Sequence, residues 1–200
     1  MSEMGLKALE RAQQALAANV HEIPPGSNTG PDVRTYLAPC VRVDRRGEAW
    51  GQRPLDLTSG AWCAAFASYC LWSAHAELDG WDQDQVPALV KGWPLFGNTS
   101  LSEDTPRVCY RASVAELVTD AKDTGAWHEL GDGAPEPGDL LVMGRNGSDP
   151  RHGGEGHVAI VETAMPVGWY TIGGNENNAV RRALRQPGDK VEPVLGFIRT

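Results

Sequence analysis

No stretch of this 200-residue chain approaches the ~20 consecutive apolar residues that a bilayer-spanning helix needs, so membrane insertion is not expected. Basic residues are in deficit. Lys and Arg number 18 against 26 Asp and Glu, a formal net charge of -8, and they form no long run. That excludes the basic footprint of a nucleic-acid binder and gives no attraction to anionic lipid. The short stretch from Val41 to Arg46 is too mixed to change this. The first twenty residues lack the apolar centre and cleavage site of a secretory signal. Synthesis in the cytoplasm without a signal peptide is therefore expected, with any export by another route. Internal repeats and low-complexity tracts are also missing.

Cysteine is sparse. Cys40, Cys63, Cys70 and Cys109 show no CxxC pair of the kind that zinc sites use. A disulfide framework is not expected at this size. Buried free thiols are the plain reading, and a Cys40–Cys109 bridge stays open.

What the chain has is an ordinary globular composition, 41% hydrophobic and 22% charged, with enough length for a single domain over 1–200. Twenty-three glycines and 14 prolines point to many turns. Leu6, Leu9, Leu16 and Val20 share a helical face, which predicts a first helix over 5–20. A short helix is expected at 33–37 after Pro31 and Asp32. Cys63, Phe66, Ala67, Cys70 and Leu71 recur at helical spacing and predict a helix from about Trp62, with Thr58 or Ser59 available as its cap. A short helix near 86–90 is the one element expected within the long connection 77–110. Ser113 and Glu116 form a capping-box pattern ahead of another helix that Gly125 ends. Short apolar runs at 140–143, 158–162, 169–172 and 195–199 then predict strands. Helices first and strands afterwards imply an α+β fold with an antiparallel sheet packed on helices.

Cys63 falls at a helix start, where unpaired N–H groups and the helix dipole favour a thiolate and can receive an oxyanion. A buried core cysteine is the competing reading. His157 opens a strand after Gly153-Gly154-Glu155-Gly156 and could accept the Cys63 proton. His21, His75 and His128 have weaker settings, and His152 is the rival in the same loop. Asn175, closing the next strand in Gly173-Gly174-Asn175-Glu176, could fix the imidazole tautomer, with Glu176 and Glu162 as alternative orienting groups. A glycine–asparagine turn accounts for the same residues without chemistry.

Four separated segments then fall in a familiar order. Trp62-Cys63-Ala64-Ala65-Phe66-Ala67-Ser68-Tyr69-Cys70 resembles the nucleophile helix of CHAP-type amidases. Pro137-Gly138-Asp139-Leu140-Leu141-Val142, Gly156-His157-Val158-Ala159-Ile160-Val161 and Gly173-Gly174-Asn175 resemble their strand motifs. The segment from Glu22 to Pro31 with Tyr36-Leu37 is similar to their leader. These amidases belong to the NlpC-type papain-like superfamily, which cleaves amide bonds in bacterial peptidoglycan. The resemblance implies a papain-like fold and a triad of Cys63, His157 and Asn175. Many relatives carry Glu where Gly173 stands, which leaves the orienting role to Asn175, helped by Glu176.

The resemblance further implies the stem peptide of peptidoglycan as substrate and a monomer acting in the periplasm or cell wall. A secreted antibacterial effector, paired with an immunity protein, and a phage endolysin both fit. The acidic charge favours the effector. No cofactor is expected. Some relatives bind calcium near the nucleophile helix, and Asp44, Glu48 and Asp56, or Asp79, Asp82 and Asp84, are the acidic groups at hand, without a regular oxygen-ligand loop. Among seven tryptophans, Trp50, Trp62 and Trp93 could line a groove, although core packing explains most of them.

Overall fold

The computed structural model describes residues 1–37, 40, 61–78 and 111–200. The expected helix at 86–90, both acidic clusters, Trp50, Trp93, Cys109 and the Thr58/Ser59 cap lie outside the described residues. Within them the fold is α+β. Helices α1 (Glu3–Ala17), α2 (Pro31–Leu37), α3 (Cys63–Leu78) and α4 (Val114–Asp123) precede six strands. These are β1 (Trp127–Glu129), β2 (Leu140–Gly144), β3 (Gly156–Met165), β4 (Gly168–Glu176), β5 (Ala179–Arg185) and β6 (Val194–Ile198). They form one antiparallel sheet in the order β1-β6-β2-β3-β4-β5.

Helix α3 is apolar around nearly its whole circumference, as a helix enclosed by other elements must be. It lies between α1 and the sheet. Ser2 caps α1 by accepting the Gly5 N–H at 2.9 Å. Ser113 does the same for α4 with Glu116, as its pattern predicts. Strand β2 is buried on both faces because helices cover one side and a second cluster the other. Leu140 and Val142 join the main core with Val158, Ile160 and Phe66. Leu141 and Met143 join Ala159, Val161 and Phe197.

The Pro137-Gly138-Asp139 segment is a docking point. Gly138 has φ +97°, and a Cβ there would stand 2.4 Å from the Gly5 backbone, so only glycine lets α1 close on the start of β2. Buried Asp139 accepts the N–H groups of Glu136 at 2.7 Å and Thr200 at 3.3 Å and a guanidinium N–H of Arg199 at 2.9 Å. It thereby ties the C-terminal residues to the same turn.

Three strands depart from the sequence expectation, the three-residue β1 at Trp127–Glu129 being too short to show a pattern. β5 was not anticipated because Arg181, Arg182 and Arg185 obscure its apolar pattern, yet it is an edge strand paired with β4. β4 runs on through Gly173-Gly174-Asn175 to Glu176, and the turn comes later, at Asn177 and Asn178, both at positive φ. Gly174 explains the continuation. A Cβ there would come within 2.6 Å of both Trp62 and Phe66, so glycine admits the first turn of α3 directly onto the strand. Gly174→Ala is expected to force α3 and β4 apart and cost about 1–3 kcal/mol. Urea unfolding checks this, and a value within experimental error of zero contradicts the close contact.

Candidate active site

Cys63 is the first residue of α3, and its own N–H belongs to the first-turn donors that have no partner inside the helix. Opposite it, the sheet opens. The β3–β4 ladder runs from Met165↔Gly168 to Ile160↔Ile172 and goes no further. His157, Val158 and Ala159 are therefore not paired with β4, although β2 still holds them. The Cys63 sulfur lies at this notch, beside the His157 ring and within reach of the Val158 N–H.

His157 is 1% exposed. Its Nε2 lies 2.7 Å from a carboxylate oxygen of Glu176. Its Nδ1 is buried and makes no hydrogen bond within ordinary geometric limits, and with Nε2 taken by Glu176 it is the nitrogen left to the adjoining thiol. The Glu176 carboxylate folds back over Gly173, where a Cβ would sit 2.9 Å from Oε1 and 3.1 Å from the Ala159 Cβ. The two glycines thus have separate duties. Gly173 leaves room for the carboxylate, and Gly174 leaves room for the first turn of α3. Glu176 also accepts from an Nη2 proton of Arg185.

The expectation that Asn175 orients the imidazole is corrected. Asn175 stands at φ +58° and its amide donates to the Asn28 side chain at 3.2 Å. The β4–β5 register shifts between Gly173 and Glu176, which changes the side chain brought to bear on His157. Sequence reading held Glu176 only as an alternative because alternation along an uninterrupted strand does not anticipate a bulge. Glu162, the other alternative, pairs with Arg182 at 2.5 Å instead.

Trp62 is buried, stacks on Tyr36 and donates its indole N–H to Glu22 at 2.8 Å, so it is a core residue with no face open to a ligand. The second Glu22 oxygen accepts the Asn28 N–H at 3.0 Å. Glu22, Asn28 and Asn175 therefore brace the 21–30 loop against the start of α3 and the end of β4. None of the rival histidines takes part. His152 is exposed in the 3-10 turn Pro150–His152, His128 stacks on Phe197, and His21 contacts the Asn19 carbonyl. His75 lies near the far end of α3. Cys40, Cys63 and Cys70 are free thiols. Among the described residues no group of three or more His, Cys, Asp or Glu is placed to hold a metal ion.

The electrostatics separate Cys63 from its companions. Burial pushes the Cys40 thiol up to about 12 and raises Cys70 further. Burial also opposes ionisation of Cys63, but the His157 charge and hydrogen bond, the Val158 N–H and the Arg145 charge outweigh it and lower its pKa. For His157, burial disfavours the charged ring, whereas the Cys63 thiolate and the Glu176 carboxylate raise it to about 9. Glu176 is opposed by burial too, yet its hydrogen bond with His157 and the charges of His157 and Arg185 hold it at about 2. The arrangement can thus hold a thiolate beside an imidazolium, which is the ground state of a cysteine acyl-transfer centre.

Compared with protein-family models, curated proteins and solved structures, the chain matches none of them.

The thiolate–imidazolium pair forms as pH rises through the lowered Cys63 value and is lost as pH rises through about 9. Ultraviolet thiolate absorbance of the native chain, less that of Cys63→Ala, should therefore rise below the ordinary free-thiol range. Glu176→Gln should move that rise to higher pH. Asn175→Gly, which keeps the left-handed backbone, should leave it in place. The opposite ranking restores Asn175 as the orienting residue.

Proposed function

We propose that this chain is a cysteine amidase or peptidase with a papain-like arrangement, acting on an amide bond of the stem peptide or cross-bridge of bacterial peptidoglycan. One observation carries the chemical part. A cysteine at the start of a helix faces a buried histidine whose other nitrogen is held by a carboxylate. The order of nucleophile helix, histidine strand and carboxylate strand is similar to that of papain-like enzymes. The substrate class rests on the CHAP-like motifs of the sequence.

In this reading the Cys63 thiolate attacks the amide carbonyl. The developing oxyanion is received by N–H groups at the start of α3, the Cys63 N–H among them. His157 gives its Nδ1 proton to the leaving amine as the tetrahedral adduct collapses to a thioester. The neutral ring then takes a proton from water, whose oxygen attacks the thioester, and collapse of the adduct releases the acid and the Cys63 thiolate, restoring the thiolate–imidazolium pair. Glu176 holds the ring orientation through Nε2 and offsets its positive charge. Delivery as an antibacterial effector with an immunity partner, or as an endolysin, is compatible with this chemistry, and the acidic net charge favours the effector.

The test is digestion of purified peptidoglycan, with fragments identified by mass spectrometry. Native protein should release fragments whose masses name the bond, and Cys63→Ala should lose about a thousand-fold or more of that rate. Release of the same fragments by Cys63→Ala contradicts the mechanism. No release by folded, reduced protein removes the substrate assignment, in favour of an amidase or acyltransferase with another acyl group or a binding module without turnover.

A further inference from the structure

From the Nε2 side of the imidazole runs a row of alternating charge that begins at Glu176. Arg185, at the end of β5, has only 9% of its side chain exposed. Through Nη2 it donates to Glu176, and through Nη1 it donates to Glu192 at 2.7 Å. Arg145, in the loop before His157, stands 3.7 Å from the other Glu192 oxygen. By contact the order is Cys63, His157, Glu176, Arg185, Glu192, Arg145, and the row bends back on itself, since the Arg145 charge also acts on Cys63. A carboxylate that reaches back across Gly173 from a bulge has rotamers that do not touch His157. The same Glu176 oxygen, Oε1, takes both the imidazole Nε2 and the Arg185 guanidinium, so the guanidinium fixes where that oxygen stands. The planar fork, held at its other tip by Glu192, resists rotation better than a single point charge.

We infer that Arg185 is a positioning residue of the reactive pair, acting through Glu176 to keep the carboxylate aimed at His157 and, together with Glu192, forming the outer support of the site. This rests on the reading of Cys63 and His157 as that pair. It has a definite electrostatic signature. The charged groups around the ring are Cys63, Glu176, Arg185, Arg145 and Glu192. If Arg185 were merely a nearby cation, removing it would make the imidazolium easier to keep. If it acts by aiming Glu176, removing it costs His157 an anionic partner and makes the imidazolium harder to keep.

The experiment is nitrogen NMR of ring-labelled histidine across pH in the full chain, with His157→Gln used to assign the signal. The native His157 ring should stay doubly protonated to about pH 9 and should lose that property in Cys63→Ala. In Arg185→Gln, shown to be folded by circular dichroism, its deprotonation should fall by about a unit or more toward 6.5. Arg185→Lys should recover part of the shift. Glu176→Gln should produce the same fall, and adding Arg185→Gln to it should change little further. A native ring that titrates near 6.5 whether or not Cys63 is present overturns the reactive pair itself. A native ring as expected, with Arg185→Gln unchanged, shifted upward, or additive with Glu176→Gln, overturns the role of Arg185 alone.

Discussion

An imidazole almost wholly withdrawn from water keeps a proton only if negative charge lies against it, because burial by itself favours the neutral ring. His157 meets that condition at both nitrogens, with the Cys63 sulfur on one side and the Glu176 carboxylate on the other. Each partner depends on the ring in return. The thiolate is tolerated in a buried place because an imidazolium adjoins it, and the carboxylate because the ring and Arg185 do. Removing one member leaves an uncompensated buried charge, and that is costlier than never having had the pair. Cys40 and Cys70 show the contrast, since they are buried like Cys63 but the Arg111 charge near one and the Arg11 charge near the other do not outweigh burial, which keeps them protonated.

The fold serves this constraint through backbone proximity. The end of the β3–β4 ladder opens a notch at Val158, and the first turn of α3 fills it. Two adjacent glycines in β4 set the depth of both approaches. Side chains alternate along a strand, so Gly173 and Gly174 face opposite ways. One leaves space for Glu176 on its face, and the other leaves space for Trp62 and Phe66 on the helical face. Core packing and the geometry of the Cys63–His157–Glu176 cluster therefore meet in two residues without side chains. The Glu22 carboxylate, holding Trp62 and Asn28 together, fastens the N-terminal loop over the same corner.

Much of this was legible in the residues. Helical spacing located the start of α3, the capping pattern located α4, and short apolar runs located β2, β3 and β6, because those signals are local. Cys63 and His157 followed from their places at element ends. The orienting group was not legible, since it depends on a bulge that brings Glu176 round and leaves Asn175 in a left-handed turn of the backbone. β5 was hidden by three arginines on an edge strand, where solvent accommodates charge on an exposed face. Arg185 has no sequence signal at all. Its partner Glu176 lies across a hairpin, and its burial emerges only when the sheet is assembled.

Alkylation of the native chain by iodoacetamide at a pH of about 6, mapped by peptide mass spectrometry at each cysteine, probes the buried pair most directly. The predicted result is that Cys63 takes the label well before Cys40, Cys70 or Cys109, and that His157→Gln removes this preference. Uniform labelling of all four cysteines, or labelling elsewhere while Cys63 stays free, would contradict a thiolate held beside an imidazolium at the start of α3.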